Sequence, residues 1–262
     1  VEMCRGGLKR QEALRGVTEA LPAKRASQIT LTSAYYAAFI TLGFVSAAIG
    51  PALPTFVANT ASRLDQVSLL FVARSAGYLI GSFQSGKWYD RFPGHLVMAG
   101  VLVAMAALMS SLPMVPWLPL LAGAILLLGV TNGALDVGGN TLLVWVHTDR
   151  VGPFMNGLHL AWGVGAFLSP LIVATSLKLT TDIDVAFWVM GLLMLPAAVW
   201  LFSLPSPSVA TQQAGPSQAA GPAPVLLASF VIFLALFAGS EAGFGAWIYT
   251  YALKIGLGTE QT

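Results

Sequence analysis

Three side chains with chemical potential recur at four-residue intervals in the stretch TNGALDVGGN: Asn132, Asp136 and Asn140. At about 100° per residue they line one stripe of a helix. Gly129 and Gly133 lie beside them and give room for a neighbouring helix. A carboxylate between two amides can bind the hydroxyls of a polar solute, hold a cation, or take up and release a proton. It can also serve only to hold helices together. A second set, Asn156, His159 and Trp162, recurs every third residue in GPFMNGLHLAWGVGAF. Counted at about 1.5 Å per residue from the short turn between the two stretches, Asp136 and His159–Trp162 share a depth. An acid, amides, an imidazole and an indole suit a sugar: the polar groups pair with hydroxyls and the ring stacks on the apolar face of a pyranose. The plainer alternatives are a packing histidine and a core or lipid-facing tryptophan.

Two further charges interrupt apolar runs. Arg74, in LLFVARSAGYLIG, can neutralise an acid, with Asp136 and Glu241 as candidates, or bind an anionic solute. Glu241, in GSEAGFGAWIYTYALK, fits a site, a gate or a packing role, while Trp247 and Tyr251 read as membrane-belt aromatics. No metal-ligand cluster, nucleotide-binding loop or nucleophile–base arrangement stands out, so neither an enzyme nor a cofactor is expected, and nothing points to nucleic acid.

The elements that must position these residues are set by composition. The chain has 262 residues, 56% hydrophobic and 9% charged, with mean hydropathy +0.76. Soluble domains carry about a quarter charged residues, so this is expected to be an all-α polytopic membrane protein. The single cysteine, Cys4, excludes an intrachain disulfide. Seven apolar segments are long enough to span a bilayer, at 29–50, 66–86, 95–113, 118–146, 153–177, 185–204 and 224–253. The start reads as a basic tail (1–28), not a signal peptide. A six-helix bundle follows over 29–204, then a Pro-, Ser-, Ala-, Gly- and Gln-rich linker over 205–223, then a seventh helix and the start of an external loop over 224–262.

Arg5, Lys9, Arg10, Arg15, Lys24 and Arg25 in the tail, with Lys87, Arg91 and Arg150 in alternate loops, put the N-terminus in the cytoplasm of a cell membrane. Six helices, a linker and another helix are the layout of a transporter built from two halves, whose second half would supply the missing C-terminal helices. A 3+3 internal repeat is expected in the first half, with the Gly-rich AGYLIG and WGVGAF at corresponding positions.

The loop GKWYDRFPGH is more specific. Gly86, Asp90, Arg91 and Gly94 resemble the G-x-x-x-D-R-x-G-R loop between helices 2 and 3 of the major facilitator superfamily. Pro93, the displaced Gly94 and His95 depart from that pattern. The helix 4–5 unit resembles the fucose permease branch at Asp136, Asn140, Asn156, Gly165 and Ala166, with His159 and Trp162 at the places of a Gln and an Asn. Gly50 stands where that branch has a membrane-buried acid, and Glu241 stands at a Gln place. The resemblance implies alternating access, a cytoplasmic gate at Gly86, Asp90 and Arg91, and uptake of a monosaccharide coupled to H+ or Na+. With the helix 1 acid absent, coupling would rest on Asp136 or Glu241, or the protein would be a uniporter. The rivals are a seven-helix receptor or opsin, suggested by Lys254, and a non-transporting partner.

Overall fold

The computed structural model describes residues 2–207 and 224–256. Most of the expected linker, 208–223, and the loop beyond Gly256 lie outside the described residues, as do the side chains of residues 1–26, Cys4 among them. The elements are α1 (Glu2–Asn59), the single turn α2 (Leu64–Val67), α3 (Leu69–Arg91), α4 (Gly94–Ser111), α5 (Leu118–His147), α6 (Val151–Thr180), α7 (Asp184–Ser203) and α8 (Pro224–Lys254). The seven apolar segments become the seven long helices; the first, 29–50, extends at both ends into α1 (Glu2–Asn59), and the other ends move by a few residues. The backbone of the basic tail is helical and continuous with α1.

Local chemistry explains where the helices stop. Pro93 caps α4 after Phe92 leaves α3 in extended conformation. Thr148 (φ 49°) breaks α5, and Thr181 (φ 59°) ends α6 in the left-handed region. By length and composition, the stretches Ser27–Asn59, Gly94–Met114, Leu118–Thr180, Asp184–Ser203 and Pro224–Lys254 can cross a membrane. The third of these contains both α5 and α6. α3 falls outside that set because Arg74 and its serines, glutamine and glycines dilute the apolar run, yet it packs in the bundle beside the others.

α1 pairs with α6, α3 with α5, and α4 with α7, while α1 and α5 meet at the centre. Side-chain contacts give the directions. Gln28 Nε2 donates to Val146 O at 2.9 Å and the Phe39 ring abuts Gly139, so α1 and α5 run antiparallel. Tyr36 OH donates to Phe154 O at 2.9 Å and Ser169 Oγ to Phe44 O at 2.9 Å, so α1 and α6 run parallel. The buried core gathers where α1 meets α7 and α4 packs on α7, with Phe56 edge-on to Phe187 at 6.0 Å between ring centres. Phe83, Leu160, Phe167 and Phe202 remain exposed on the outside, as bundle surfaces facing hydrocarbon should.

Two helix pairs are built alike. A Cβ on Gly43 of α1 would lie 2.2 Å from Trp162 O, and one on Gly133 of α5 would lie 2.3 Å from Tyr78 O. A Cβ on Gly165 of α6 would lie 1.9 Å from Ile40 O, and one on Gly81 of α3 would lie 2.1 Å from Val130 O. A constant offset along each helix carries Ile40 and Gly43 onto Val130 and Gly133, and Trp162 and Gly165 onto Tyr78 and Gly81. The same offset pairs Ser169 with Ser85, both fully buried. It also pairs the carbonyls of Phe44 and Ala134, each of which accepts a hydroxyl, from Ser169 and Tyr89 respectively. The helix exchange α1 for α5 and α3 for α6 therefore relates two of the first three long helices to two of the next three, while α4 and α7 pack on each other. Only glycine permits backbones this close, which is why small residues mark helix crossings in membranes.

Candidate functional site

α5 brings its acid and one amide together directly. Asn140 Nδ2 donates to Asp136 Oδ1 at 2.9 Å and to Asp136 O at 2.9 Å. The other carboxylate oxygen, Oδ2, accepts from Tyr78 OH at 2.5 Å, across the α3–α5 crossing. Close approach at Gly133 lets Tyr78 reach it. Asp136 stays half-buried, with its carboxylate held by a phenol and an amide and with no cation within ion-pair distance among the described residues. Such a group has spare lone pairs for a solute hydroxyl, a cation or a proton.

Asn132, on the same stripe, is buried at 4% exposure, and its Nδ2 has no hydrogen-bond partner among the described residues. It lies beneath the pair instead of beside it.

The repeat supplies a second hydrogen-bonded pair. Trp162 Nε1 donates to Ser46 Oγ at 3.1 Å, and the helix offset makes Trp162 the counterpart of Tyr78 and Ser46 that of Asp136. A side chain on one helix of each tight pair thus donates to the polar residue three positions past the glycine on the other. Gly50 is the counterpart of Asn140 and is buried.

Phe39 serves as a depth marker. Its ring abuts Gly139 of α5 and meets the His159 ring of α6 edge-on at 6.4 Å. His159 is therefore level with Gly139 and Asn140. Because α5 and α6 run in opposite directions, Asp136 and Trp162 both lie about one turn further along. Asn156 and His159 are exposed and make no hydrogen bond to Asp136 or Asn140 among the described residues. The structure therefore sets Asp136 and Trp162 at one depth and Asn140 and His159 about a turn away, with Asn156 beyond them.

Arg74 Nη1 donates to Ser46 O at 3.3 Å, and neither Asp136 nor Glu241 is within ion-pair distance. Among the described residues the ion pair present is Arg63–Asp65, at an exposed turn. Glu241 sits on the exposed side of α8, which lies along α1 and sets Trp247 against Phe71 at 5.8 Å. Tyr251 is exposed, as a belt aromatic would be.

At one end of the bundle Gly86, Asp90 and Arg91 are exposed at the close of α3. His95, the residue that departs from the family loop, is buried. Its Nδ1 lies 3.1 Å from Leu204 O, so that nitrogen carries the proton, and Nε2 accepts from Tyr35 OH at 2.8 Å. His95 thereby ties α4 to α1 and to the end of α7. His147 holds the same end: its Nε2 is 2.6 Å from Thr32 Oγ1, whose own proton goes to Gln28 O at 2.8 Å. The His147 ring stacks on Phe154 at 3.6 Å.

Sequence reasoning missed Tyr78, Ser46 and His147, and marked His95 only as a departure from the family loop. Tyr78 left a faint signal, one helical turn after Arg74. The others left none, because each partner lies far along the chain.

Apolar helices around a hydrogen-bonded carboxylate, amide, phenol and indole define a polytopic α-helical membrane protein with a polar interior face. The chain belongs to the Major Facilitator Superfamily, whose family description matches residues 35–262. It is similar to sodium-dependent glucose transporter 1 of Xenopus laevis, 27% identical over 238 residues that cover 79% of this chain and 48% of that protein. It is also similar to sodium-dependent glucose transporter 1 of Homo sapiens, 32% identical over 151 residues, 56% of this chain and 29% of that one. Major facilitator superfamily domain-containing protein 4B of Danio rerio is 31% identical over 150 residues, 57% of this chain and 28% of that one. The chain spans about half of the Xenopus protein's length and less of the other two. Family membership replaces the receptor alternative, and Lys254 is exposed in the last turn of α8.

Proposed function

We propose that this chain forms the first half of a secondary active transporter that moves a small polar solute, a monosaccharide, by alternating access. In this reading the N-terminus is cytoplasmic, and Gly86, Asp90 and Arg91 close the cytoplasmic end. Asp136 and Asn140 bind solute hydroxyls while Trp162 stacks on the ring and His159 and Asn156 line the approach. Asp136 is also the residue at which a proton or sodium ion couples, since Glu241 lies apart from this cluster. The carrying observation is the Tyr78–Asp136–Asn140 hydrogen-bond set, half-open to the interior face. A carboxylate inside a bilayer costs a few kcal/mol and is retained where it does work or lines an aqueous path. The glucose transporters among the relatives support a sugar and sodium.

The test is gradient-driven sugar uptake into proteoliposomes by the full-length protein. Asp136→Asn should abolish accumulation against a gradient. Unchanged accumulation would show that coupling lies elsewhere, and equilibration without accumulation in the unmodified protein would favour a uniporter.

A further inference from the structure

The internal repeat isolates one residue for which packing gives no reason. Arg74 sits inside the bundle on α3, and its counterpart on α6 under the same offset is Leu158, which is fully buried. That level of the fold is satisfied by an apolar side chain, so a guanidinium is an addition with an insertion cost of a few kcal/mol.

Its observed contacts leave most of the guanidinium unused. Nη1 makes one long hydrogen bond, 3.3 Å to Ser46 O, and no carboxylate lies within ion-pair distance among the described residues. Asp136 already has Oδ2 on Tyr78 and Oδ1 on Asn140. Five N–H donors in a rigid fork match a carboxylate bidentately.

The surroundings say what that carboxylate would belong to. Arg74 is one helical turn from Tyr78, which brings it within about 6 Å (between Cβ atoms) of the residue that holds Asp136. Ser46 joins it to Trp162: the Ser46 carbonyl accepts from Arg74 and the Ser46 hydroxyl from the indole. An anion-binding fork, an aromatic face and a hydroxyl-binding pair therefore border one another.

Resting on the reading of this face as a solute site, we propose that Arg74 recognises an acidic group on the solute. The solute class is a sugar acid, a hexuronate or aldonate, with its carboxylate on Arg74 and its hydroxyls on Asp136 and Asn140. A neutral hexose satisfies only the second part.

The experiment is titration of the purified chain in lipid nanodiscs with D-glucuronate and with D-glucose, followed by tryptophan fluorescence and calorimetry. The unmodified chain should bind glucuronate about tenfold more tightly, the size of one charge-assisted contact. Arg74→Gln should bring that ratio close to one. Arg74→Lys, which keeps the charge but loses the fork, should retain part of the preference, and it carries the test if Arg74→Gln fails to fold. Equal binding of both sugars by the unmodified chain, or a ratio unmoved by either substitution, overturns the role of Arg74 and leaves the solute site standing. Binding of neither sugar overturns both.

Discussion

The Tyr78 hydroxyl of α3 donates to Asp136 Oδ2 of α5, and the Trp162 indole of α6 donates to Ser46 Oγ of α1 at the repeat-related place. The two hydrogen bonds therefore occupy repeat-related places, one on Asp136 itself and one on its counterpart Ser46.

Removing the phenol's proton should be felt by ligand. Tyr78→Phe keeps the ring and frees Oδ2, so solute affinity should change by a factor of about two to ten, the range of one hydrogen bond. Calorimetric titration of the purified chain checks this, and an unchanged affinity would detach Tyr78 from the site.

Trp162 does two things that substitution can separate. Trp162→Phe loses the Nε1–H to Ser46 and keeps a stacking face, so it should weaken binding only a few-fold. Trp162→Ala loses both and should cost about tenfold or more. Equal losses would mean that stacking plays no part.

The glycine contacts predict a stability pattern with internal controls. Gly165→Ala and Gly81→Ala would each set a methyl against a backbone carbonyl (Ile40 O and Val130 O), at a cost of about 1–3 kcal/mol for overpacking. Gly100 and Gly123 have nothing within 4 Å of a built Cβ, so alanine there should be neutral or slightly stabilising. Thermal melting in detergent should rank them this way, with the first two lowered by similar amounts.

His95→Ala leaves the Tyr35 hydroxyl and the Leu204 carbonyl without their partner. The expected loss is about 2 kcal/mol or more, because both groups are in the protein interior. Tyr35→Phe should lose less, since the Nδ1 bond to Leu204 survives. Denaturation of the two variants side by side distinguishes this clamp from a merely space-filling histidine.

The helices were legible in the sequence because apolar runs of membrane-spanning length end at Pro, Gly or charge, and backbone hydrogen bonding in lipid leaves few other options. The two Gly-rich stretches hinted at the repeat. Their register, with Gly81 opposite Gly165 and Tyr78 opposite Trp162, became visible only from which carbonyls the glycines touch. Asp136 and Asn140 were legible as a pair because they are one turn apart on one helix. Tyr78, Ser46 and His95 were not, since their partners lie tens to more than a hundred residues away and follow from helix packing. Arg74 invited pairing with an acid. In the structure its neighbour is a backbone carbonyl, which no side-chain pattern encodes.

The contacts of 1.9–2.3 Å from built Cβ positions to facing carbonyls also bear on mechanics. Backbones that close cannot slide past one another by small steps, because close-packed interfaces switch between discrete arrangements and do not deform continuously. The α1–α6 and α3–α5 pairs are therefore two stiff struts, braced together at the α1–α5 crossing. Rocking of such a body would move α1, α3, α5 and α6 as one unit, with α8 set against it through its packing on α1.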